Sequence, residues 1–319
     1  MSKRVFGVDI GGTTVKLGLF TDNGEVIDKW EIPTRTEDKG KNILPDIAQS
    51  IKNKMAENSL QKEDVAGVGM CVPGPVDDAG VVHMAVNLGW GEFDLDDEMR
   101  KYLDMPIFAG NDANVAALGE LWKGGGKGSK NIVVVTLGTG VGGGVIVNGK
   151  ILNGCNGAGG EIGHIHICDD ESESCGCGNK GCLEQYASAT GITRLAKRRL
   201  AKDDTPSVIR NTPVDEINSK VVFDAVKAGD KLAIEIAEEF GEILGKGLAG
   251  IACVTNPELF VIGGGVSKAG DVLIEYIKKN YVKYVFHGSR DAKFALATLG
   301  NDAGIFGSAK LVLDGVANS

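Results

Sequence analysis

Two stretches of the chain repeat one pattern. In VFGVDIGGTTVKLGLFTDNGEVI, Val5 to Asp9 reads as a short apolar strand and Gly11-Gly12 as a turn. Val15, Leu17 and Leu19 then alternate as a second strand, and Asp22-Asn23-Gly24 turns again. The pattern returns mid-chain. Ile132 to Leu137 reads as a strand, GTGVGGG as its turn, Val145 to Val147 as the next strand, and Asn148-Gly149 as the closing turn. A glycine turn leading from strand to antiparallel strand is not a Walker loop, which ends in G-K-[ST] and opens a helix. It is not a dinucleotide-binding fingerprint, for the same topological reason. The interval between the copies is too long for a solenoid and fits duplication of a whole domain.

Between the copies lie α/β elements. Ile43, Ile47, Ile51 and Met55 recur at helical spacing over residues 42–57. Val65 to Val72 reads as a strand ending at Pro73-Gly74-Pro75. Pro106 to Ala109 reads as a strand leading into Asn111-Asp112, and Ala113 to Trp122 as a helix. The Gly/Lys-rich stretch Lys123 to Lys130 is the expected boundary. The second half is expected to be mostly helical from Leu183 to Ala252. A strand, Leu259 to Ile262, then meets a Gly263-Gly264-Gly265 turn and a helix from about Lys268. The layout expected is a small N-terminal α/β domain over residues 1–122, a large domain over 123–302, and a C-terminal helix, 303–319, returning to the small domain. The acidic 165–175 loop reads as exposed.

Composition narrows the function. The chain has 319 residues, 43% hydrophobic and 24% charged, as in ordinary globular proteins. Its net charge of −9 disfavours nucleic acid as a partner. No apolar run reaches the ~20 residues of a membrane span. The start, MSKRVFGVDIGG, lacks the apolar core and cleavage site of a signal peptide, so the expected location is cytoplasmic, where lasting disulfides are rare. Seven cysteines, an odd number, also argue against a disulfide framework.

The glycines, 47 in all, cluster in particular loops. In DIGGTT they let the backbone approach a ligand, and turn N–H groups can nest an anion. Thr13 and Thr14 add hydroxyls, and Asp9 can hold Mg²⁺ directly or through water. Alone, such a loop is equally a plain hairpin turn. A second loop, Gly138 to Gly144, favours two hairpin tips gripping one triphosphate. The Gly263–Gly265 turn suits a position beneath an adenosine, though it also reads as a simple strand-to-helix turn.

Asp112 follows a strand and precedes a helix. It is either an N-cap or a general base for a substrate hydroxyl. Asn111 beside it offers donor and acceptor to a polyol. Glu161, His164 and Glu184 lie on glycine-rich loops and suit the hydroxyls of a sugar. Glu161 and Glu184 equally admit a glycosidase acid/base pair, which the phosphate loops weigh against. ESCGCGNKGCLE gathers Cys175, Cys177 and Cys182, spaced C-x-C and C-x4-C, without a redox C-x-x-C. With one histidine, three thiolates give closed tetrahedral coordination. His164 and His166 both lie near, as does Cys168. Cys71, Cys155 and Cys253 read as small packing residues.

DIGGTT, CVPGPVD, AGNDAN, LGTGVGGGVIVNGKILNGCNGAGGEIGH and CGCGNKGCLEQYAS, in that order over nearly the whole chain, resemble the ROK family (repressors, open reading frames, sugar kinases). The likeness is above all to its bacterial ATP-dependent glucokinases. The resemblance implies the actin-like ATPase (ribonuclease H-like) fold, an α/β fold with two duplicated domains around a cleft, and transfer of the ATP γ-phosphoryl group to a hexose 6-hydroxyl. Asp112 matches the catalytic aspartate. Asn87, Asn111, Glu161, His164 and Glu184 match sugar-binding positions. Asp9, Gly11, Gly12 and Thr13, with Thr14 and Lys16 beside them, match the first phosphate loop. Thr139 and Gly140 match the second, and Gly264 and Gly265 the adenosine motif. His164, Cys175, Cys177 and Cys182 match the Zn²⁺ ligands, and the metal would brace the segments carrying Glu161 and Glu184. The implied cofactors are ATP, Mg²⁺ and structural Zn²⁺.

Glucose is the expected hexose, with mannose, fructose, allose and N-acetylhexosamines as alternatives and polyphosphate as an alternative donor. A sugar-sensing repressor would need a helix-turn-helix before the strand at Val5, and no room for one is expected. A chaperone-like ATPase would not need the sugar-facing residues. A homodimer or homotetramer is implied by the resemblance.

Overall fold

The computed structural model describes residues 3–318. Met1, Ser2 and Ser319, at the ends of the expected domains, lie outside the described residues. The principal strands are β1 (Arg4–Ile10), β2 (Thr14–Thr21), β3 (Val26–Pro33), β4 (Val65–Val72), β5 (Ile107–Asn111), β6 (Ile132–Leu137), β7 (Val141–Val147), β8 (Leu259–Gly263) and β9 (Lys293–Leu296). The principal helices are α1 (Ile43–Glu57), α2 (Asp112–Lys123), α3 (Ala189–Lys202), α4 (Ser219–Lys227), α5 (Lys231–Thr255), α6 (Asp271–Tyr284) and α7 (Ala303–Asn318).

The chain forms two compact units. The first comprises Met1–Gly128, Lys150–Gly160 and Leu299–Ser319, and the second Ser129–Gly149 and Glu161–Thr298. Residues 150–160, assigned to the large domain from sequence, therefore pack with the first unit. No helix of the described residues is long and apolar enough to cross a membrane.

The first unit is built on a sheet ordered β3-β2-β1-β4-β5. β1 and β2 are antiparallel, while β1, β4 and β5 run parallel. Every residue of β4 is buried, as a strand covered on both faces must be. On one face Ile43, Ile47 and Ile51 of α1 pack with Phe6, Val8, Leu17 and Val68. On the other, Ile305, Ala309 and Val312 of α7 pack with Val5, Phe20 and Ala66. Two sheet glycines set the closeness of α7. A Cβ on Gly7 would lie 2.1 Å from the Ile305 carbonyl oxygen, and one on Gly69 1.8 Å from that of Ser308. The Ser308 hydroxyl donates to Val8 O at 2.9 Å. Gly69→Ala should therefore push α7 off the sheet and lower stability by about 3 kcal/mol, read as a fall in the urea midpoint.

In the second unit four strands run in the order β7-β6-β8-β9. β6 and β7 are antiparallel, and β6, β8 and β9 are parallel. This repeats β2-β1-β4-β5 of the first sheet in order and direction, so the duplicated α/β architecture read from the two hairpins is present. α5 is buried along much of its length and joins Phe223, Phe240 and Phe260 in one core. Two local expectations fail. Gly142, Gly143 and Gly144 lie within β7 opposite Thr136, Val135 and Val134, because Gly138 to Gly140 alone complete the turn. Residues 265–269 form a 3-10 turn, and α6 starts only at Asp271.

Candidate active site

In the first unit β1 and β2 meet at Gly11–Thr13. The Gly11 N–H donates to the Thr14 carbonyl at 3.1 Å. Thr34 fastens the turn from the side, its N–H on Thr13 O at 2.9 Å and its hydroxyl on Gly11 O at 2.7 Å. Gly12 and Thr13 are left exposed at the tip. Asp9 stands opposite Lys16 across the hairpin and beside Cys71 of β4. Burial raises the Asp9 pKa, while a hydrogen bond with Cys71 and the charge of Lys16 draw it partly back. Gly304, near the start of α7, admits the helix to that carboxylate, since a Cβ there would lie 2.7 Å from Asp9 Oδ2. Lys16 donates to the Asn301 carbonyl at 3.1 Å, just ahead of the same helix.

A carboxyl raised by burial favours the folded state when protonated and costs stability once ionised. Asp9→Asn should thus stabilise the ligand-free protein at neutral pH. The gain should fade as the pH falls towards the ordinary aspartate value of 3.8. Urea midpoints at neutral and acid pH check this.

β5 ends on Asn111, and α2 begins at Asp112. The cap of the helix is Asn111, not Asp112: its Oδ1 accepts the N–H groups of Ala113 and Asn114 at 3.0 and 3.2 Å. Its Nδ2 donates to the Gly74 carbonyl and to Asp112 Oδ1, each at 3.0 Å. Asn111 is only 9% exposed, and these four bonds occupy its amide. Asp112 is exposed, and its Oδ1 also accepts the Ala113 N–H at 2.8 Å. Asn87 is exposed on a 3-10 turn, Val86–Leu88.

In the second unit the β6–β7 tip is closed by a bond from the Gly138 N–H to Gly140 O at 3.0 Å, and Thr139 is exposed. The carboxylate of Glu184 lies beneath this tip. Its Oε2 accepts the Val141 N–H at 3.0 Å, and a Cβ on Gly140 would come within 2.0 Å of the same oxygen. Its Oε1 is 3.5 Å from Cys175 Sγ. Glu184 therefore joins the hairpin tip to the cysteine cluster.

That cluster is His164, Cys175, Cys177 and Cys182, with all four candidate ligand atoms within 4.8 Å of one another. Zn–S bonds of about 2.3 Å at tetrahedral angles place sulfurs about 3.8 Å apart. Cys177 and Cys182 Sγ are 3.7 Å apart, as are Cys175 Sγ and His164 Nδ1. Both spacing and donor set fit Zn²⁺, and the cysteines form no disulfide. Burial and the neighbouring thiols push Cys182 up to about 12, while the Asn179 backbone N–H draws Cys177 down. His164 faces the thiols with Nδ1 and Glu161 with Nε2, which is 3.9 Å from Glu161 Oε2. Glu161 precedes and His164 ends a 3-10 turn, Ile162–His164, seated on β7, where a Cβ on Gly163 would lie 2.1 Å from Val141 O. His166 stays apart, with Nδ1 at 2.9 Å from Lys180 O and Nε2 at 2.8 Å from Asp169.

After β8 the chain turns through Gly264 at φ 81°, where a Cβ would lie 2.5 Å from the Leu137 carbonyl oxygen. Gly265 to Ala269 and α4 then border a groove of about 140 Å³, lined by Ser219, Phe223, Lys227, Gly265 and Lys268 among others.

A family model described as "ROK family" matches residues 5–315. The chain belongs to the ROK family. Among curated relatives of this ROK protein, a glucokinase of Halalkalibacterium halodurans is 44% identical over 98% of the chain and 96% of its own length. A crystal structure of a ROK family glucokinase from Streptomyces griseus, in complex with glucose and AMPPNP, is 34% identical, with a TM-score of 0.73 over 97% of this chain and 98% of that one. A ROK hexokinase from Thermus thermophilus is 29% identical, with a TM-score of 0.82 over 99% and 100%. The ROK chain thus has the actin-like ATPase fold of its relatives.

The sequence does not point to two residues here, Gly304 and Glu171, or to one bond of Glu184. Gly304 gave no signal beyond being a glycine near a helix start. Glu184 reads as a sugar contact in the sequence, which gives no sign of its bond to the Val141 N–H. The 165–175 loop was read as exposed, yet Glu171 is buried within it. The signal for Glu171 is the pair Arg194 and Arg198, four apart in TRLAKRR of α3.

Proposed function

We propose that this chain is a hexokinase-type sugar kinase. It transfers the γ-phosphoryl group of ATP to the 6-hydroxyl of a hexose, glucose by preference, giving hexose 6-phosphate and ADP. The observation that carries this reading is the full-length likeness to glucokinases, 44% identical in the Halalkalibacterium halodurans protein and 34% in the Streptomyces griseus protein complexed with glucose and AMPPNP.

In this reading the hexose oxygen attacks the γ-phosphorus in line, the bond to the departing ADP oxygen breaks, and the hydroxyl proton passes to Asp112. Asn111 and the Ala113 N–H hold that carboxylate in place. The exposed tips at Gly11–Thr14 and Thr139–Gly140 offer N–H and hydroxyl groups to the phosphates, with Lys16 beside the first. Asp9 would hold Mg²⁺, which supplies charge neutralisation at the β- and γ-phosphates. The groove beside Gly264 and Gly265 takes the nucleoside. Glu161, His164 through Nε2, Glu184 and Asn87 bind the hexose hydroxyls. Asn111 would reach a hydroxyl only by releasing Gly74 or Asp112. His164, Cys175, Cys177 and Cys182 would hold Zn²⁺ as a closed structural site that stiffens the segments bearing Glu161 and Glu184. The same reading makes the protein a cytoplasmic enzyme of glycolysis and a homodimer or homotetramer, a state light scattering measures.

The test is a coupled assay of ADP release over a hexose panel. Glucose should give the highest kcat/KM, and release without sugar should be slow. ADP release indifferent to every hexose would end the kinase reading.

A further inference from the structure

The acidic segment ahead of Cys175 is fastened to α3 by an ion cluster built around one buried carboxylate. The Glu171 side chain is 1% exposed. Its carboxylate accepts the Tyr186 hydroxyl at 2.6 Å, the Arg194 guanidinium, two bonds from Arg198 at 3.4 and 3.2 Å, and the Glu173 N–H at 3.0 Å. Glu173 balances the charge, meeting Arg194 and Arg198 each at 3.2 Å. Arg194 also lies over the Tyr186 ring at 5.0 Å. The backbone continues the linkage. Gln185 Nε2 donates to the Glu173 carbonyl at 3.0 Å, and Gln185 Oε1 accepts the Cys182 N–H at 3.1 Å. One cluster thus grips the C-x-C arm from α3 and reaches the third cysteine through Gln185.

None of these side chains is among the candidate ligands. Burying the Glu171 carboxylate in ion pairs is also a poor device for stability, since an apolar residue of similar volume often serves as well or better. It defines one geometry for the groups it holds. We propose that Glu171 is a positioning residue: held by Arg194, Arg198 and Tyr186, it presets the arm from Glu171 to Cys177 so that Cys175 and Cys177 stand at ligating distance from Cys182 and His164 before a metal arrives. This deepens the proposed zinc site and rests on that reading only for the identity of the ion.

The test uses the full chain carrying Glu171→Gln. In chelator-stripped protein, amide hydrogens of residues 171–177 should exchange about 10-fold faster than in the wild type, with the β6–β9 strands unchanged. After zinc loading, transfer of the metal to a chromogenic chelator should be about 10- to 100-fold faster, the usual effect of losing an outer-shell partner. Glu235→Gln removes a pair with Arg199 (2.9 Å) on the same helix and should leave both readouts unchanged. If Glu171→Gln does not fold, Tyr186→Phe removes one bond without stranding a charge and should shift both readouts the same way, by less. Equal exchange across the arm in wild type and variant overturns the proposal, whether or not zinc binds and whether or not hexose is phosphorylated.

Discussion

Asp112→Asn should lower hexose-dependent ADP release by about 10²- to 10⁴-fold, the usual contribution of general-base catalysis. The variant is a clean one. Asparagine keeps the oxygen that accepts the Ala113 N–H at 2.8 Å and keeps the helical first position, so the end of β5 and the start of α2 stay in place. What is lost is the charge that receives the hydroxyl proton. Hexose affinity by titration calorimetry and the urea midpoint should both match the wild type. Near-normal turnover would remove Asp112 from the reaction.

The second large effect is expected at Cys182. Cys182→Ser should strip zinc from the protein and weaken hexose affinity by more than about 100-fold, beyond the range seen when only an outer-shell partner is lost. Cys182 is 1% exposed and lies two residues before Glu184. Its Sγ is 3.7 Å from that of Cys177, and its backbone pairs with His166. Losing the thiolate opens the four-ligand set and loosens the support of Glu184 and His164. Because Glu184 also holds the Val141 N–H at 3.0 Å, the KM for ATP should rise with that for hexose. Metal content by mass spectrometry, together with both KM values, checks this. Zinc retention with wild-type constants would show that the cluster does not brace the site.

The features legible in the sequence were those carried by local chemistry. A glycine turn between alternating strands announces a hairpin wherever it lies, and two such hairpins announced the duplication. The aspartate at a strand end and the three cysteines with a nearby histidine were legible for the same reason. What escaped depended on distant partners. Glu171 reads as one more acid in CDDESES, and its burial follows from arginines on a helix some twenty residues away. Of the two roles open to Asp112, the cap falls instead to Asn111, whose side chain reaches back to two helical N–H groups while donating to Gly74. Gly69 and Gly304 matter for what approaches them, α7 in one case and the Asp9 carboxylate in the other.

The seating of α7 on β1 and β4 bears on how the chain is made. Val5, Phe20 and Ala66 are covered by Ile305, Ala309 and Val312, so the β1–β5 sheet keeps an apolar face uncovered until residues 305–312, more than 190 positions after its last strand, have been made. Domains usually fold in order of synthesis. Here Ser129–Gly149 and Glu161–Thr298 are complete before the first unit can close, so the second half of the polypeptide should mature first, with the early sheet held open in wait.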